Sequence, residues 1–105
     1  MSYLESLFSI NNKISIVTGA AGDNGKSISE ALLRSGSTVI MIDILKKELS
    51  KNVKKFQNEN LPAIEYCCDI TDKKQILELS KNIKKKFGKL DILVNNAGIS
   101  LPYSS

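Results

Sequence analysis

The sequence contains no histidine and no tryptophan, and its two cysteines stand side by side at positions 67 and 68. Neighbouring residues of an extended strand face opposite sides, so Cys67 and Cys68 cannot form an ordinary disulfide with each other. We expect both thiols to be buried and reduced. Without histidine or a second group of cysteines, a zinc site has almost no ligands available. The sequence therefore predicts no metal centre.

Arginine is nearly absent as well, because Arg34 is the only one and the formal net charge of +4 comes almost entirely from lysine. The lysines fall in clusters within residues 46–55, 73–74 and 81–89. Nucleic-acid recognition favours arginine forks and stacked aromatic rings, and neither is clustered here. Apolar residues interleave the lysines at helical spacing. We expect the lysines on the wet faces of amphipathic helices and no nucleic-acid partner.

No apolar run approaches the length that crosses a membrane. The first ten residues include Glu5 and lack the basic and apolar regions of a signal peptide. We therefore expect a cytoplasmic protein without membrane contact. With 42% apolar and 25% charged residues, the 105 residues have the composition of one ordinary globular domain.

Short apolar runs alternate with segments of helical periodicity, which is the pattern of strands and helices around a parallel sheet. Strands are predicted at residues 14–18, 38–43, 63–68 and 90–95. The first helix is predicted over residues 25–35, and the third follows a cap at Thr71 and Asp72 and ends at Gly88. The apolar stripes of the three helices are predicted to be Ile28, Ala31 and Leu32; then Leu45, Leu49, Val53 and Phe56; then Ile76, Leu79, Ile83 and Phe87.

Right-handed crossovers place these strands in the order 3-2-1-4. The predicted fold class is α/β, a three-layer Rossmann-like fold with a partial doubly wound parallel sheet. Such folds bind ligands at the carboxyl ends of the strands, so the residues after each strand are the candidates for a site.

A glycine-rich turn follows the first predicted strand and opens the first predicted helix, over residues 18–25. Gly19 permits a tight turn, Gly22 lets backbone amides approach a pyrophosphate, and Gly25 lets the helix pack close to the sheet. The alternative is a small-residue turn in which Asp23 or Asn24 only caps the helix. The residues predicted to bind the cofactor here are Gly19, Ala20, Ala21, Gly22, Asn24 and Gly25.

An acidic residue, Asp43, ends the second predicted strand. Its carboxylate can accept hydrogen bonds from the hydroxyl groups of an adenosine ribose. A 2′-phosphate would instead meet a like charge. The sequence therefore predicts a dinucleotide site that prefers NAD(H) to NADP(H), the alternative being a solvated aspartate in a loop.

Three segments resemble the short-chain dehydrogenase/reductase family. They are the turn of residues 18–25, Asp69-Ile70-Thr71 after the third strand, and Leu-Asp-Ile-Leu-Val-Asn-Asn-Ala-Gly of residues 90–98. The turn departs from the common family spacing, which has a glycine where this chain has Asp23. The resemblance extends over about residues 7–102 and implies the N-terminal half of a Rossmann domain within residues 1–105.

The resemblance also assigns roles at the strand ends. It implies that Asp69 and Ile70 lie beside the adenine ring and that Asn95 ties the central strands together. Asn96 would contact the cofactor, and Ala97 with Gly98 would bring the backbone close to the nicotinamide-side ribose.

The activity implied by the resemblance is hydride transfer between a nicotinamide and a sugar, sugar acid or other secondary alcohol or ketone. The family uses a tyrosine and a lysine spaced Tyr-x-x-x-Lys, and none of Tyr3, Tyr66 and Tyr103 has a lysine four residues later. We expect no catalytic residue in this chain, and we expect substrate binding and homo-oligomers only in a full-length form. The alternative is a nucleotide-binding or assembly module that never catalyses.

Overall fold

Strands and helices alternate along residues 12–96, the part of the chain that the computed structural model describes. The four strands form one parallel sheet in the order β3-β2-β1-β4. The predicted α/β class and strand order are therefore confirmed. The elements are β1 (Ile14–Thr18), α1 (Asp23–Arg34), β2 (Thr38–Asp43), α2 (Lys46–Asn58), β3 (Ala63–Cys67), α3 (Lys73–Phe87) and β4 (Ile92–Val94).

Helices cover both faces of the sheet, which makes three layers. Val17, Val39 and Met41 belong to the core under α1 and α2. Ile16 and Ile40 belong to the opposite core under α3. A strand buried on both faces favours apolar residues, which explains why β1 and β2 are mainly apolar. The buried hydroxyl of Ser15 in β1 is hydrogen-bonded to that of Ser37 at 2.6 Å. The remaining side chains of the two cores include Leu33, Leu49, Val53 and Phe56 on the first face and Ile14, Ile42, Leu79 and Ile83 on the second.

The first helix begins two residues earlier than predicted, at Asp23, and ends at Arg34. Its N-cap is Gly22, and no side chain of the described residues caps it by a hydrogen bond. The alternative in which Asp23 or Asn24 serves as a cap is therefore wrong. The predicted end of the helix before Gly36 is confirmed, since Gly36 has a φ of 104° that L-residues rarely adopt.

The buried stripe of α1 is also turned relative to the prediction. Gly25, Ser29 and Leu33 are buried, whereas Ala31, which we expected to face the core, is exposed. Gly25 and Ser29 are small, so the N-terminal half of α1 can approach the sheet more closely than a stripe of larger side chains would allow.

Three other predictions at element ends need correction. Leu45 is not part of the α2 stripe but its N-cap, with 56% of its surface exposed. Cys67 is exposed because it is the last residue of β3, which lies at the edge of the described sheet, whereas Cys68 is buried as expected. Burial raises the pKa of the Cys68 thiol. β3 itself ends at Cys67 rather than at residue 68.

The fourth strand is shorter than the predicted 90–95, because only Ile92–Val94 pair with β1. The N-cap of α3 is Asp72, whose carboxylate accepts from two backbone amides, and its C-cap is Gly88 with a φ of 74°, both as predicted. The lysines of all three sequence clusters are exposed, as expected. Between residues 12 and 96, no helix has the length and apolar character that membrane spanning requires.

Candidate functional site

The carboxyl ends of β1, β2 and β3 meet at one cleft. Parallel strands end on the same side of a sheet, so residues distant in sequence are brought together there. This cleft is lined by four predicted site residues from three separate segments, namely Gly19, Asp43, and Asp69 with Ile70. The described residues that line it are Thr18, Gly19, Ile42, Asp43, Ile44, Cys68, Asp69 and Ile70.

The glycine-rich turn packs directly against the start of α1. Gly19 has a φ of 67°, in the left-handed region that favours glycine. A Cβ atom at Gly25 would overlap the carbonyl oxygen of Gly19 and lie 2.8 Å from the Cα atom of Ala20. Real Cβ atoms do not approach backbone this closely. Gly25 is therefore required for the contact between helix and turn, as its position in the sequence predicted.

Hydrogen bonds attach this turn to its neighbours. The amide of Ala20 donates to the carbonyl of Ile42 at 3.0 Å, and the amide of Gly22 donates to the carbonyl of Gly19 at 3.3 Å. The amide of Ala21 donates to Oδ2 of Asp43 at 2.9 Å. The turn thus has a defined conformation, set by β2 and by its own backbone.

The N-terminus of α1 opens next to the turn. The first amides of an α-helix have no acceptor within the helix, and the helix dipole places partial positive charge there. In α1 these amides belong to Asp23, Asn24 and Gly25, since the amide of Lys26 donates to the carbonyl of Gly22 at 2.9 Å. The side chains of Asp23 and Asn24 are exposed. This end of the helix can bind an anion such as a phosphate.

Asp43 lies at the end of β2 and contacts the backbone on both sides. Its Oδ2 accepts from the amide of Ala21 at 2.9 Å, and its Oδ1 accepts from the amide of Leu45 at 3.0 Å. A carboxylate has about four acceptor positions, so each oxygen can accept one further hydrogen bond. The half-buried carboxylate of Asp43 can therefore hold the turn and bind a hydroxyl group at the same time.

Asp69 follows β3 on the far side of the cleft. Its Oδ1 accepts from the amide of Thr71 at 2.9 Å and from the hydroxyl of Thr71 at 2.7 Å. These two bonds lower the pKa of Asp69, so the carboxylate is ionised at neutral pH. Gln75 accepts from the amide of Asp69 at 2.8 Å. The neighbouring Ile70 is half-buried against the core and supplies an apolar wall.

Thr18 connects the ends of β1 and β4. Its hydroxyl donates to Oδ1 of Asn95 at 3.0 Å and accepts from the amide of Asn96 at 2.9 Å. Asn95 thus joins the end of β1 to the end of β4, consistent with the tie between strands that the resemblance implied. Asn96 is half-buried at the same edge of the sheet. The predicted site residues Ala97 and Gly98 lie outside the described residues.

Sequence reasoning missed one residue that contacts the turn. The side-chain amide of Asn52, on α2, donates to the carbonyl of Ala20 at 3.0 Å and to that of Ala21 at 3.1 Å. The available signal was a polar residue within the apolar stripe of α2, three positions after Leu49 and four before Phe56.

Comparison with known proteins agrees with this fold. The family described as short chain dehydrogenase matches residues 13–104. The chain belongs to the short-chain dehydrogenase/reductase family.

Individual relatives are similar over most of this chain. A diacetyl reductase [(S)-acetoin forming] of Staphylococcus epidermidis is 39% identical over 88 residues, which are 84% of this chain and 34% of the relative. The 15-hydroxyprostaglandin dehydrogenase [NAD(+)] of Rattus norvegicus is 38% identical over 98 residues, covering 87% of this chain and 35% of the relative.

Among solved structures, the 2-keto-3-deoxy-D-gluconate dehydrogenase of Streptococcus agalactiae superposes with a TM-score of 0.83 at 36% identity. The superposition covers 94% of this chain and 37% of that protein. The chain therefore spans about a third of the length of these relatives.

Proposed function

We propose that this chain binds NAD(H) as the cofactor-binding part of an oxidoreductase. The observation that carries the proposal is the contact between the glycine-rich turn and Asp43, in which the amide of Ala21 lies 2.9 Å from the carboxylate. The contact supports the proposal because an Asp43 carboxylate beside the turn would accept from ribose hydroxyls while the N-terminus of α1 would bind phosphate.

We expect the parts of the dinucleotide to bind in a fixed order along the cleft. The pyrophosphate would lie at the turn, with Gly19, Ala20, Ala21 and Gly22, and at the first amides of α1, with Asn24 and Gly25. The adenosine ribose would contact Asp43, and the adenine ring would lie beside Asp69 and Ile70. The nicotinamide side would extend toward Asn96 and toward Ala97 and Gly98, which lie beyond the described residues.

The charge of the site supports a preference for NAD(H) over NADP(H). A 2′-phosphate would lie against the carboxylate of Asp43, and like charges in contact cost several kcal/mol. Binding NADP(H) favours an arginine beside the ribose, but Arg34 is at the opposite end of α1 and pairs with Glu30 and Glu59. Lys46, two residues beyond Ile44, pairs with Glu65 at 3.1 Å. The rat relative carries NAD(+) in its name.

The reaction we propose is hydride transfer between the nicotinamide and a secondary alcohol or ketone, with sugars and sugar acids as the favoured substrates. The names of the Streptococcus agalactiae dehydrogenase and the Staphylococcus epidermidis reductase support this class of substrate. Within the 105 residues, the chain binds and orients the cofactor, which supplies the redox chemistry. Substrate binding and proton transfer are proposed for a longer form, in which we also expect a homo-oligomer in the cytoplasm.

Titration calorimetry with NAD⁺ and NADP⁺ tests the proposal directly. We expect NAD⁺ to bind more tightly by roughly tens of fold, since every 1.4 kcal/mol is about a factor of ten. The variant Asp43→Asn should lose most of this preference. Glu48→Gln removes the same charge from an exposed position in the first turn of α2 and should keep it. Equal binding of the two cofactors by the unmodified protein would contradict the predicted preference, and no binding of either would refute the cofactor site.

A further inference from the structure

A buried amide side chain on α2, outside the lining of the cleft, contacts the glycine-rich turn. Asn52 is 8% exposed and lies on the stripe of α2 that packs Leu49, Val53 and Phe56 into the core. Burial of an amide is unfavourable unless its polar atoms are hydrogen-bonded. Asn52 meets this requirement by donating to two consecutive carbonyl groups of the turn, those of Ala20 and Ala21.

The contacts of Asn52 complete the hydrogen bonding of two successive peptide groups. In the peptide between Ala20 and Ala21, the carbonyl accepts from Asn52 and the amide donates to Asp43. In the peptide between Ala21 and Gly22, the carbonyl again accepts from Asn52 and the amide donates to the carbonyl of Gly19. Each peptide is therefore held at both ends, and neither can rotate without breaking two hydrogen bonds.

This arrangement determines the electrostatics of the phosphate site. A peptide free to rotate could point its carbonyl oxygen, which carries partial negative charge, toward a bound pyrophosphate. Asn52 holds both oxygens on the α2 side, so the amides at the start of α1 act on an anion without that opposition. A turn that is already ordered also loses less entropy when a ligand binds.

We propose that Asn52 is a positioning residue that presets the turn for the pyrophosphate of the cofactor. The inference rests on the proposed function, because it concerns the same site. It predicts a specific pattern of ligand dependence. The effect of Asn52 should be large for ligands that carry a pyrophosphate and small for adenosine, which would contact only Asp43, Asp69 and Ile70.

The test compares the full chain with its variant Asn52→Leu, whose side chain has the same number and branching of heavy atoms and no donor. We expect the dissociation constant for ADP-ribose to rise about tenfold, as for the loss of one or two hydrogen bonds, and that for adenosine to change by less than about twofold. The matched control is Gln57→Leu, because Gln57 also lies on α2 and donates to a backbone carbonyl, that of Ala63 at 2.9 Å, away from the turn. This control should bind both ligands like the unmodified protein.

If Asn52→Leu does not fold, the same pair of ligands is measured with Asn52→Ala, in which water can reach the two carbonyls. Equal losses for ADP-ribose and adenosine would show a general structural role and overturn the proposal, and so would unchanged binding of ADP-ribose. Failure of the unmodified chain to bind NAD⁺ or ADP-ribose would instead refute the proposed function. The two failures are thus distinguishable.

Discussion

Asp43 contacts more of the backbone than a ribose-binding residue requires. Besides its proposed ligand, the carboxylate accepts from the amides of Ala21 and Leu45. Its place at the end of β2 could be predicted from the sequence, because an acidic residue follows a short apolar run at the spacing that dinucleotide-binding folds use. Its contact with the turn could not, since it depends on how closely the ends of β1 and β2 approach.

Gly25 provides a test of how the turn and the helix depend on each other. We expect Gly25→Ala to lower the free energy of unfolding by about 3 kcal/mol, because the added methyl group overlaps backbone atoms of Gly19 and Ala20 that cannot move independently. Denaturation in urea measures the loss.

Gly22→Ala is the matched control for this variant. At Gly22 the nearest atom to an added Cβ is the carbonyl oxygen of Gly19 at 3.7 Å, an ordinary contact, and its φ of −87° is open to any residue. Because alanine is a poorer N-cap than glycine, the control should lose up to about 1 kcal/mol of stability, clearly less than Gly25→Ala. Equal stability of Gly25→Ala and Gly22→Ala would show that the turn can move to make room for the added methyl group. It would contradict the conclusion that the contact between helix and turn requires glycine at position 25.

At the scale of elements, the short strand β4 is attached to β1 by more than the ladder between them. Asp91 stands just before β4, and its Oδ2 accepts from the amide of Ile14 at 2.8 Å while its own amide donates to the carbonyl of Ile14 at 2.9 Å. At the other end, Thr18 bonds Asn95 and Asn96. Polar contacts at both ends of β4 therefore reinforce a strand that pairs with β1 through three residues.

The carboxylate of Asp91 predicts a dependence of stability on pH. The hydrogen bond from the amide of Ile14, and then the neighbouring Lys89, lower the pKa of Asp91 in the folded chain. Its contribution is therefore fully present above the unfolded pKa of about 4 and is lost as the pH falls through the lower folded pKa. We expect Asp91→Asn to be less stable at neutral pH and to lose less stability on acidification.

Urea denaturation of Asp91→Asn between about pH 6 and pH 3 measures this difference. Glu78→Gln serves as the control, because Glu78 is exposed in the middle of α3, away from either end of the helix. The control should follow the unmodified protein throughout. Parallel curves for Asp91→Asn and the unmodified protein would contradict the proposed attachment.

At the scale of the whole molecule, the described residues expose an apolar surface on the α3 side of β4. Leu77, Leu90 and Leu93, which are 61%, 44% and 62% exposed, border one groove there. Leu93 pairs in register with Ile16, so it faces the core of α3 without being covered by it. An apolar edge strand of this kind favours association with another chain.

We expect the 105-residue polypeptide, prepared alone, to self-associate at micromolar concentration. Replacing Leu77 and Leu93 together by lysine should shift it to a monomer in sedimentation velocity experiments, because the charges oppose pairing at this edge. Leu45→Lys is the control, as Leu45 is 56% exposed at the start of α2, away from β4. A monodisperse unmodified monomer would refute the prediction.

Sequence reasoning was most accurate where a local pattern decides the structure. The mainly apolar strands β1 and β2 lie where they were predicted, and so do the N-cap of α3 at Asp72 and its C-cap at Gly88. Each of these features depends on neighbours in sequence. The errors concern the rotation of a helix about its axis and the position of the sheet edge. Ala31 and Cys67 are exposed because of how α1 faces the sheet and where the sheet ends, which no local pattern contains.

By itself the sequence predicted the α/β class, the strand order and the strand ends that meet at the cleft, because periodicity, turn residues and handedness rules follow from the order of the elements along the chain. The family followed from the resemblance of three short segments. Only the tertiary structure decided how those residues contact one another. Asp43 holds Ala21, Thr18 joins β1 to β4, and Asn52 reaches the turn across 31 positions of sequence. These contacts follow from the packing of whole elements, since a side chain's partners are set by the position of the helix or strand that carries it.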